Sequence, residues 1–335
     1  MVASTATLLA GCVSTLLARK VVAPPNQSGT KALFADSPMV QHAPQAFTEV
    51  WKVRTGPPTA DIVVASIEPG DYGFLYDLRL SYPEGRVPTI DHFNAFWKPA
   101  KEVARPAGAP RGTLVLLHGY LQDKRFLAPW AIRLAQAGYR CALLDLRGHG
   151  ESTGGHISFG AYESADVSAV IDDLGRRGWD VSRVGLLGVS YGASIALLSA
   201  GRDARIKAVV AFEPFASAEK AVPEIMRAAF AAQARGISDA QFAAAHLKEA
   251  EIAGFSWADA DVAAALARTS APVLFLHGEA DTWLSPDHSR ALAGVAPAGS
   301  ILHLIPRDNH VTLPLQIARF EADVIGWFDA AFPPP

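Results

Sequence analysis

The residues whose type and spacing could do chemistry are Gly188-Val189-Ser190-Tyr191-Gly192. A serine between two glycines at a strand-to-helix turn is a nucleophile elbow, G-x-S-x-G. The reason is steric. The turn is so tight that the serine backbone is strained, and its neighbours two residues away cannot carry a Cβ. The strain holds the hydroxyl out at the C-terminal edge of a sheet, within reach of a base. Glycine and serine are common loop residues, so the pentapeptide alone says little; its flanks say more. The apolar run Val181 to Val189 has the β-branched and leucine content of a buried strand, and the alanine-rich run Ala193 to Ala200 reads as a helix.

The elements that must position this turn alternate in type. Ile62 to Ile67, Tyr76 to Tyr82 and Asn94 to Lys98 read as short strands able to form an antiparallel edge. After the Pro/Gly-rich stretch 106–112, Thr113 to Leu117 is an apolar strand, Phe126 to Ala137 has helical spacing, and Arg140 to Asp145 is a strand. Ala161 to Arg177 is a helix with apolar positions at Val167, Val170, Ile171 and Leu174. Beyond the elbow come strands at Ile206 to Phe212, Pro272 to His277 and Ser300 to Ile305, and a closing helix at Leu313 to Phe332. Such alternation predicts an α/β chain with a mostly parallel sheet covered by helices on both faces. Phe215 to Thr269 breaks the alternation. It holds no good strand, and is alanine-rich and helical in period, with breaks at Gly236 and Gly254. It reads as a helical cap over the C-terminal edge of the sheet, or else as ordinary packing helices.

At 335 residues, half of them hydrophobic and 19% charged, the chain can bury one large core or two modest ones. The net charge of −3 makes no electrostatic case for a nucleic-acid partner. Two cysteines and scattered histidines give no disulfide framework and no metal-ligand spacing. Cys141 lies in an apolar run and reads as core. Cys12 does not. Val2 to Ala18 is uncharged and mostly apolar or small, and Leu9-Ala10-Gly11-Cys12 resembles the bacterial lipobox, where the cysteine thiol takes a diacylglyceryl group. Against this, no Lys or Arg precedes the apolar run, which is short. Three readings follow. The first is a lipoprotein signal, which would tether the protein to a membrane of the bacterial cell envelope through Cys12. The second is a short anchor stopped by Arg19-Lys20, and the third an ordinary N-terminal segment of a cytoplasmic chain. The expected organisation is signal or anchor over 1–20, linker over 21–60, core over 61–214, cap over 215–269 and the rest of the core over 270–333.

With these motifs in hand, the chain resembles the capped serine hydrolases of the α/β-hydrolase superfamily, the esterases, lipases and serine aminopeptidases. The resemblance spans roughly Ile62 to Phe332. It rests on five features in order: His118-Gly119-Tyr120, the run Asp145 to Ser152, the elbow, Gly278-Glu279-Ala280-Asp281, and Asp308-Asn309-His310. It implies that His310 is the base that activates Ser190 and that Asp281 orients the imidazole. It further implies that the backbone N–H groups of Tyr191 and Tyr120 meet the oxyanion, helped by the helix dipole at Tyr191. Glu213 competes with Asp281 for the acid role, since some superfamily members carry their acid after that strand. His303 and His288 compete with His310; one lies within a strand, the other at a helix start. His118 is expected to hold the oxyanion loop, Asp145 to pair with Arg147, and Asp308 is an available neighbour of His310.

The resemblance implies hydrolysis of a small ester or acyl substrate through an acyl-enzyme, with no metal or organic cofactor. Peptidase or amidase action, or acyl transfer, could run on the same triad. An aminopeptidase would need cap acids for a free amine, and Glu224, Glu249, Glu251, Asp259 and Asp261 are candidates. A non-catalytic binding protein on the same fold is the reading from another class; a complete Ser/Asp/His set argues against it. Phe215, Phe230, Phe242, Phe255 and Trp257 could line an apolar pocket or form the core of the cap. Trp283, two residues past Asp281, could reach the edge of the site. Oligomeric state is left open.

Overall fold

A computed structural model describes residues 2–29, 31–84 and 87–332, with side chains from residue 12 onward. The N-terminal part holds helix α1 (Val2–Val21), the short α2 (Pro38–His42), strands β1 (Glu49–Thr55) and β2 (Ala60–Ile67), and a hairpin of β3 (Leu75–Ser81) and β4 (Thr89–Phe96). The central part runs β5 (Thr113–Leu117), α3 (Ala128–Gln136), β6 (Arg140–Leu144), α4 (Glu163–Arg176), β7 (Val184–Val189), α5 (Tyr191–Ala200) and β8 (Ile206–Phe212). Helices α6 (Ala218–Ala229), α7 (Ala231–Ala234), α8 (Asp239–Ala253) and α9 (Val262–Leu266) follow. The chain closes through β9 (Val273–Gly278), α10 (Asp287–Ala293), β10 (Ile301–Ile305) and α11 (Ile317–Ala331).

Eight strands form one sheet in the order β1-β2-β6-β5-β7-β8-β9-β10. β1, β2 and β6 pair antiparallel; every pair from β6 to β10 is parallel. Every residue of β5, β7 and β9 is buried, as both faces of a parallel sheet require. One face packs against α4, α5 and α9, the other against α3 and α11. From β5 the chain crosses to β6 on one side and then returns to β7 on the other. Their C-terminal loops therefore diverge and leave a crevice, the usual place for a ligand on such a sheet.

Three expectations change. The stretch 21–60 is not a linker. It contains β1, and its first part is a strap tied to the core. Asn26 donates its backbone N–H to the Gly148 carbonyl (3.0 Å) and its side-chain amide to the carbonyls of Gly150 (3.1 Å) and Ser152 (2.8 Å). Second, the strands of 75–96 do not extend the main sheet. β3 and β4 pair only with each other, and stand as an arm beside the loop after β10. Third, the cap is narrower than 215–269. α9 lies on the core helix α5, so close that a Cβ on Gly201 would meet the Ala265 carbonyl oxygen at 2.5 Å.

The cap proper is α6 to α8. Ser238 and Gln241 form a reciprocal capping box at the start of α8, and Gly254 ends it at φ 76°. The N-terminal helix joins this unit. Leu17 and Ala18 of α1 are buried against Phe242 and Ala245 of α8 and Ala234, and Lys248 donates to the Thr15 hydroxyl (2.7 Å). Among the described residues no helix is long and apolar enough to cross a membrane.

Candidate active site

Ser190 sits at the hinge between β7 and α5 with φ 51° and ψ −113°, outside the regions open to ordinary L-residues. Its flanking glycines are required by space. A Cβ on Gly188 would lie 2.4 Å from the Gly192 carbonyl oxygen, and one on Gly192 would lie 2.2 Å from that of Leu117. The second contact seats the start of α5 directly against the end of β5.

The loops after β9 and β10 bring the other two groups. His310 Nε2 lies 2.9 Å from Ser190 Oγ, and His310 Nδ1 lies 2.7 Å from Asp281 Oδ2. The other oxygen of Asp281 accepts from the backbone N–H groups of Trp283 (2.8 Å) and Leu284 (2.9 Å). Burial alone would raise the pKa of Asp281. The charge it shares with His310 and the bonds from His277, His310 and Leu284 outweigh that, and hold it well below the usual carboxylate range. Asp281 therefore stays ionised beside the His310 imidazole. The Trp283 indole stacks on the His310 ring. Ser190 and His310 are both buried, at 7% and 8% exposure.

The loop after β5 faces the elbow. The Leu146 N–H donates to His118 Nε2 (3.0 Å), which leaves Nδ1–H to donate to the Gly119 carbonyl (2.8 Å). The Gly119 N–H is taken by the Gln122 side chain (2.8 Å). The backbone N–H groups of Tyr120 and Tyr191 make no hydrogen bond to a protein acceptor among the described residues. Burial first, against weaker opposing contacts, pushes His118 down to about 4, so it is a neutral strut at neutral pH.

Several side chains lie elsewhere than expected. Asp145 does not pair with Arg147. It accepts from Lys124 (2.8 Å), while Arg147 forks onto Asp166 at 2.7 and 2.9 Å. Asp308 turns away from His310, to Arg319 (2.6 Å), Gln316 (2.8 Å) and Tyr82 (2.9 Å). It anchors the His310 loop to α11 and to the end of the β3–β4 arm, which Arg307 grips as well by donating to the Tyr82 carbonyl. His303 is exposed on β10, the edge strand of the sheet. His288 accepts from the Ala216 N–H (3.1 Å) at the base of the cap. Phe242 is cap core against α1, whereas Phe215 lies 6.3 Å from the Tyr191 ring. The strands of the β3–β4 arm are readable at Tyr76 to Tyr82 and Asn94 to Lys98; their pairing only with each other, apart from the main sheet, is not.

A cleft of about 580 Å³ borders the loop after β5 at Leu121 and Gln122 and runs under the strap. Its charged lining groups Lys124, Asp145 and Glu151 are paired with one another, as are Asp123 and Arg125. Ser190 does not line it.

A serine on a strained strand-to-helix hinge, faced by a histidine and an ionised carboxylate on an eight-stranded, mostly parallel sheet, is the architecture of the α/β-hydrolase fold. Residues 108–253 match the family described as serine aminopeptidase, S33. The fold is that of the Pyrococcus furiosus esterase Pf2001, at 18% identity and a TM-score of 0.60, covering 93% of this chain and 98% of that one. A Mycobacterium tuberculosis puromycin-hydrolyzing peptidase superposes with a TM-score of 0.56 at 14% identity, over 85% of this chain and 39% of the other. The Bacillus subtilis (strain 168) protein YqkD is 23% identical over 200 residues, 59% of this chain; the match spans 64% of the YqkD length.

Proposed function

We propose that the protein hydrolyses carboxylic esters through an acyl-enzyme. The observation that carries the reading is the unbroken hydrogen-bond path from Ser190 through His310 to Asp281. Ser190 Oγ attacks the acyl carbonyl while His310 Nε2 takes its proton. The C–O bond to the serine forms, and the carbonyl π electrons move onto the oxygen, which the Tyr120 and Tyr191 N–H groups receive. His310 then protonates the departing alcohol. Water, deprotonated by the same imidazole, attacks the acyl-enzyme and restores Ser190.

Ester is favoured over peptide by the state of the cap acids. A free amine needs an unengaged anion beside the site. Glu224 accepts from the Ser285 N–H (3.0 Å) and Asp261 caps α9 through the Ala264 N–H (2.9 Å). Glu249 is buried next to His246 (3.4 Å), while Glu251 and Asp259 point to solvent. Short-chain p-nitrophenyl esters should be turned over, with Ser190→Ala slower by about a thousandfold or more. Equal rates for the two proteins would refute the reading. Faster cleavage of aminoacyl arylamides than of esters would move the protein to the peptidase class.

Membrane tethering through Cys12 belongs to the same proposal. Cys12 is exposed, and the residues that dock on α8, Leu17 and Ala18, lie after it. Cleavage before Cys12 would thus leave the docked turns in place. Incorporation of a labelled fatty acid in a bacterial host, lost in Cys12→Ser, tests it; equal labelling of the two, or none, overturns it.

A further inference from the structure

We propose that Glu213 is a reserve acid of this site, a positioning residue able to replace Asp281 against Nδ1 of His310; the inference rests on the triad reading above. Glu213 follows β8 as Asp281 follows β9, and the two carboxyls converge on one imidazole nitrogen. Asp281 Oδ2 lies at 2.7 Å and Glu213 Oε2 at 3.5 Å. Glu213 is wholly buried, its backbone is held at φ 52°, and neither of its side-chain oxygens has a hydrogen-bond partner. A buried carboxyl without a donor is costly, and an apolar side chain of equal volume would fill the space without that cost. What distinguishes the carboxyl here is its reach to His310.

The ionisable groups facing Glu213 are the carboxyls of Asp281 and Asp308 and the imidazole of His310. Asp308 is neutralised by Arg319. Two carboxylates sharing one imidazole in a dry site do not both ionise. Asp281, with two backbone donors, keeps the charge; Glu213, whose oxygens make no full hydrogen bond and feel only a weaker, opposing pull from the Gly278 N–H, keeps a proton. Burial first, and then the negative charge of Asp281, push its pKa well above the ordinary glutamate value. Removing the Asp281 charge removes the second cause. Glu213 then loses its proton as the pH rises, and a small shift brings its carboxylate to hydrogen-bond distance of Nδ1–H.

The test compares wild type, Glu213→Gln, Asp281→Asn and the double variant by the rate at which a fluorophosphonate labels Ser190. In that step the Oγ–P bond forms, the P–F bond breaks, fluoride departs and His310 takes the proton, so no choice of substrate enters. Gln copies a protonated carboxyl, so Glu213→Gln should label within about twofold of wild type. Asp281→Asn should fall by about a hundredfold or more, with a remainder that grows from neutral to alkaline pH. The double variant should lose about another tenfold and that growth with it. The same comparison in Asp281→Ala guards against misorientation of His310 by the Asn amide, and thermal melts check folding. Equal labelling of Asp281→Asn and the double variant at every pH overturns the reserve role while leaving the triad intact. A fall in Glu213→Gln as deep as in Asp281→Asn overturns it too, making Glu213 the working acid. Wild type that labels no faster than Ser190→Ala removes the triad, and the reserve acid with it.

Discussion

The indole of Trp283 lies over the imidazole of His310, with ring centroids 5.4 Å apart and planes 28° from parallel. The Trp283 backbone N–H also donates to Asp281, so one residue fixes both the carboxylate and the plane of the imidazole. A flat π-face on an imidazole that becomes cationic in the transition state is worth about 1 kcal/mol. Trp283→Leu should therefore lower kcat by about fivefold to tenfold and leave KM nearly unchanged. Steady-state kinetics on a p-nitrophenyl ester decide it. A change confined to KM would make Trp283 a substrate-binding wall instead.

Gly192 tests the elbow. Its missing Cβ is replaced in space by the Leu117 carbonyl oxygen at 2.2 Å and that of His118 at 2.5 Å, backbone atoms that cannot rotate away. Gly192→Ala must push α5 off β5, at a cost of about 1–3 kcal/mol in stability. It would also displace the Tyr191 N–H, with an expected rate loss of about a hundredfold or more. Denaturant melts and ester assays read the two separately, and a variant with wild-type rate would mean that the hinge tolerates what the packing forbids.

The elbow, the loop after β5 and the turns that carry Asp281 and His310 were legible because each is local. A strand's apolar run, a glycine that admits close approach and a polar residue at the strand end all lie within a few positions of one another. What was illegible depends on partners far along the chain. Asp145 and Arg147 are two residues apart, yet each finds a different mate, Lys124 in the short 3-10 turn before α3 and Asp166 on α4, brought in by packing that spacing does not encode. Asp308 likewise faces Arg319 on α11 and leaves His310 alone. The strap was hidden by its composition. Pro, Ser and Gly signal irregular backbone, and composition does not distinguish irregular backbone that is tied to the core from backbone that is not.

Asn26 is the test of that strap. Its amide closes on two carbonyls, those of Gly150 and Ser152, and its backbone bonds Gly148. Asn26→Ala strands acceptors in a part-buried seam and should cost about 1–2 kcal/mol. Leu17→Asp, which places a charge against Phe242 and Ala245, should release α1 from α8 and speed amide exchange in α8 while leaving the sheet protected. Unchanged exchange in α8 would mean that the docked helix contributes nothing to the cap.

The neutral struts behind the oxyanion loop set an acid limit. Burial drives His118 down to about 4; for His149 burial comes first, then the neighbouring His118, and together they push it down to about 3. A histidine in the unfolded chain takes its proton near about 6.5. Between these values the unfolded state holds protons that the folded state refuses, so stability falls as the pH drops from about 6.5 to about 4, by up to about 1.4 kcal/mol per unit for each ring. For His118 the full window amounts to roughly 3 kcal/mol. Glu213 acts in the opposite sense. Its raised pKa makes the folded state the better proton holder above the ordinary glutamate range, so its share of stability declines as the pH rises. Comparing wild type with His118→Gln cancels that contribution. The variant should be the less stable at neutral pH, because the bond from Leu146 is weakened. The gap should then close as the pH falls towards about 4, as wild type loses what the variant no longer has to lose. Urea melts across that range measure the gap, and two parallel curves would show that His118 is protonated in the folded protein.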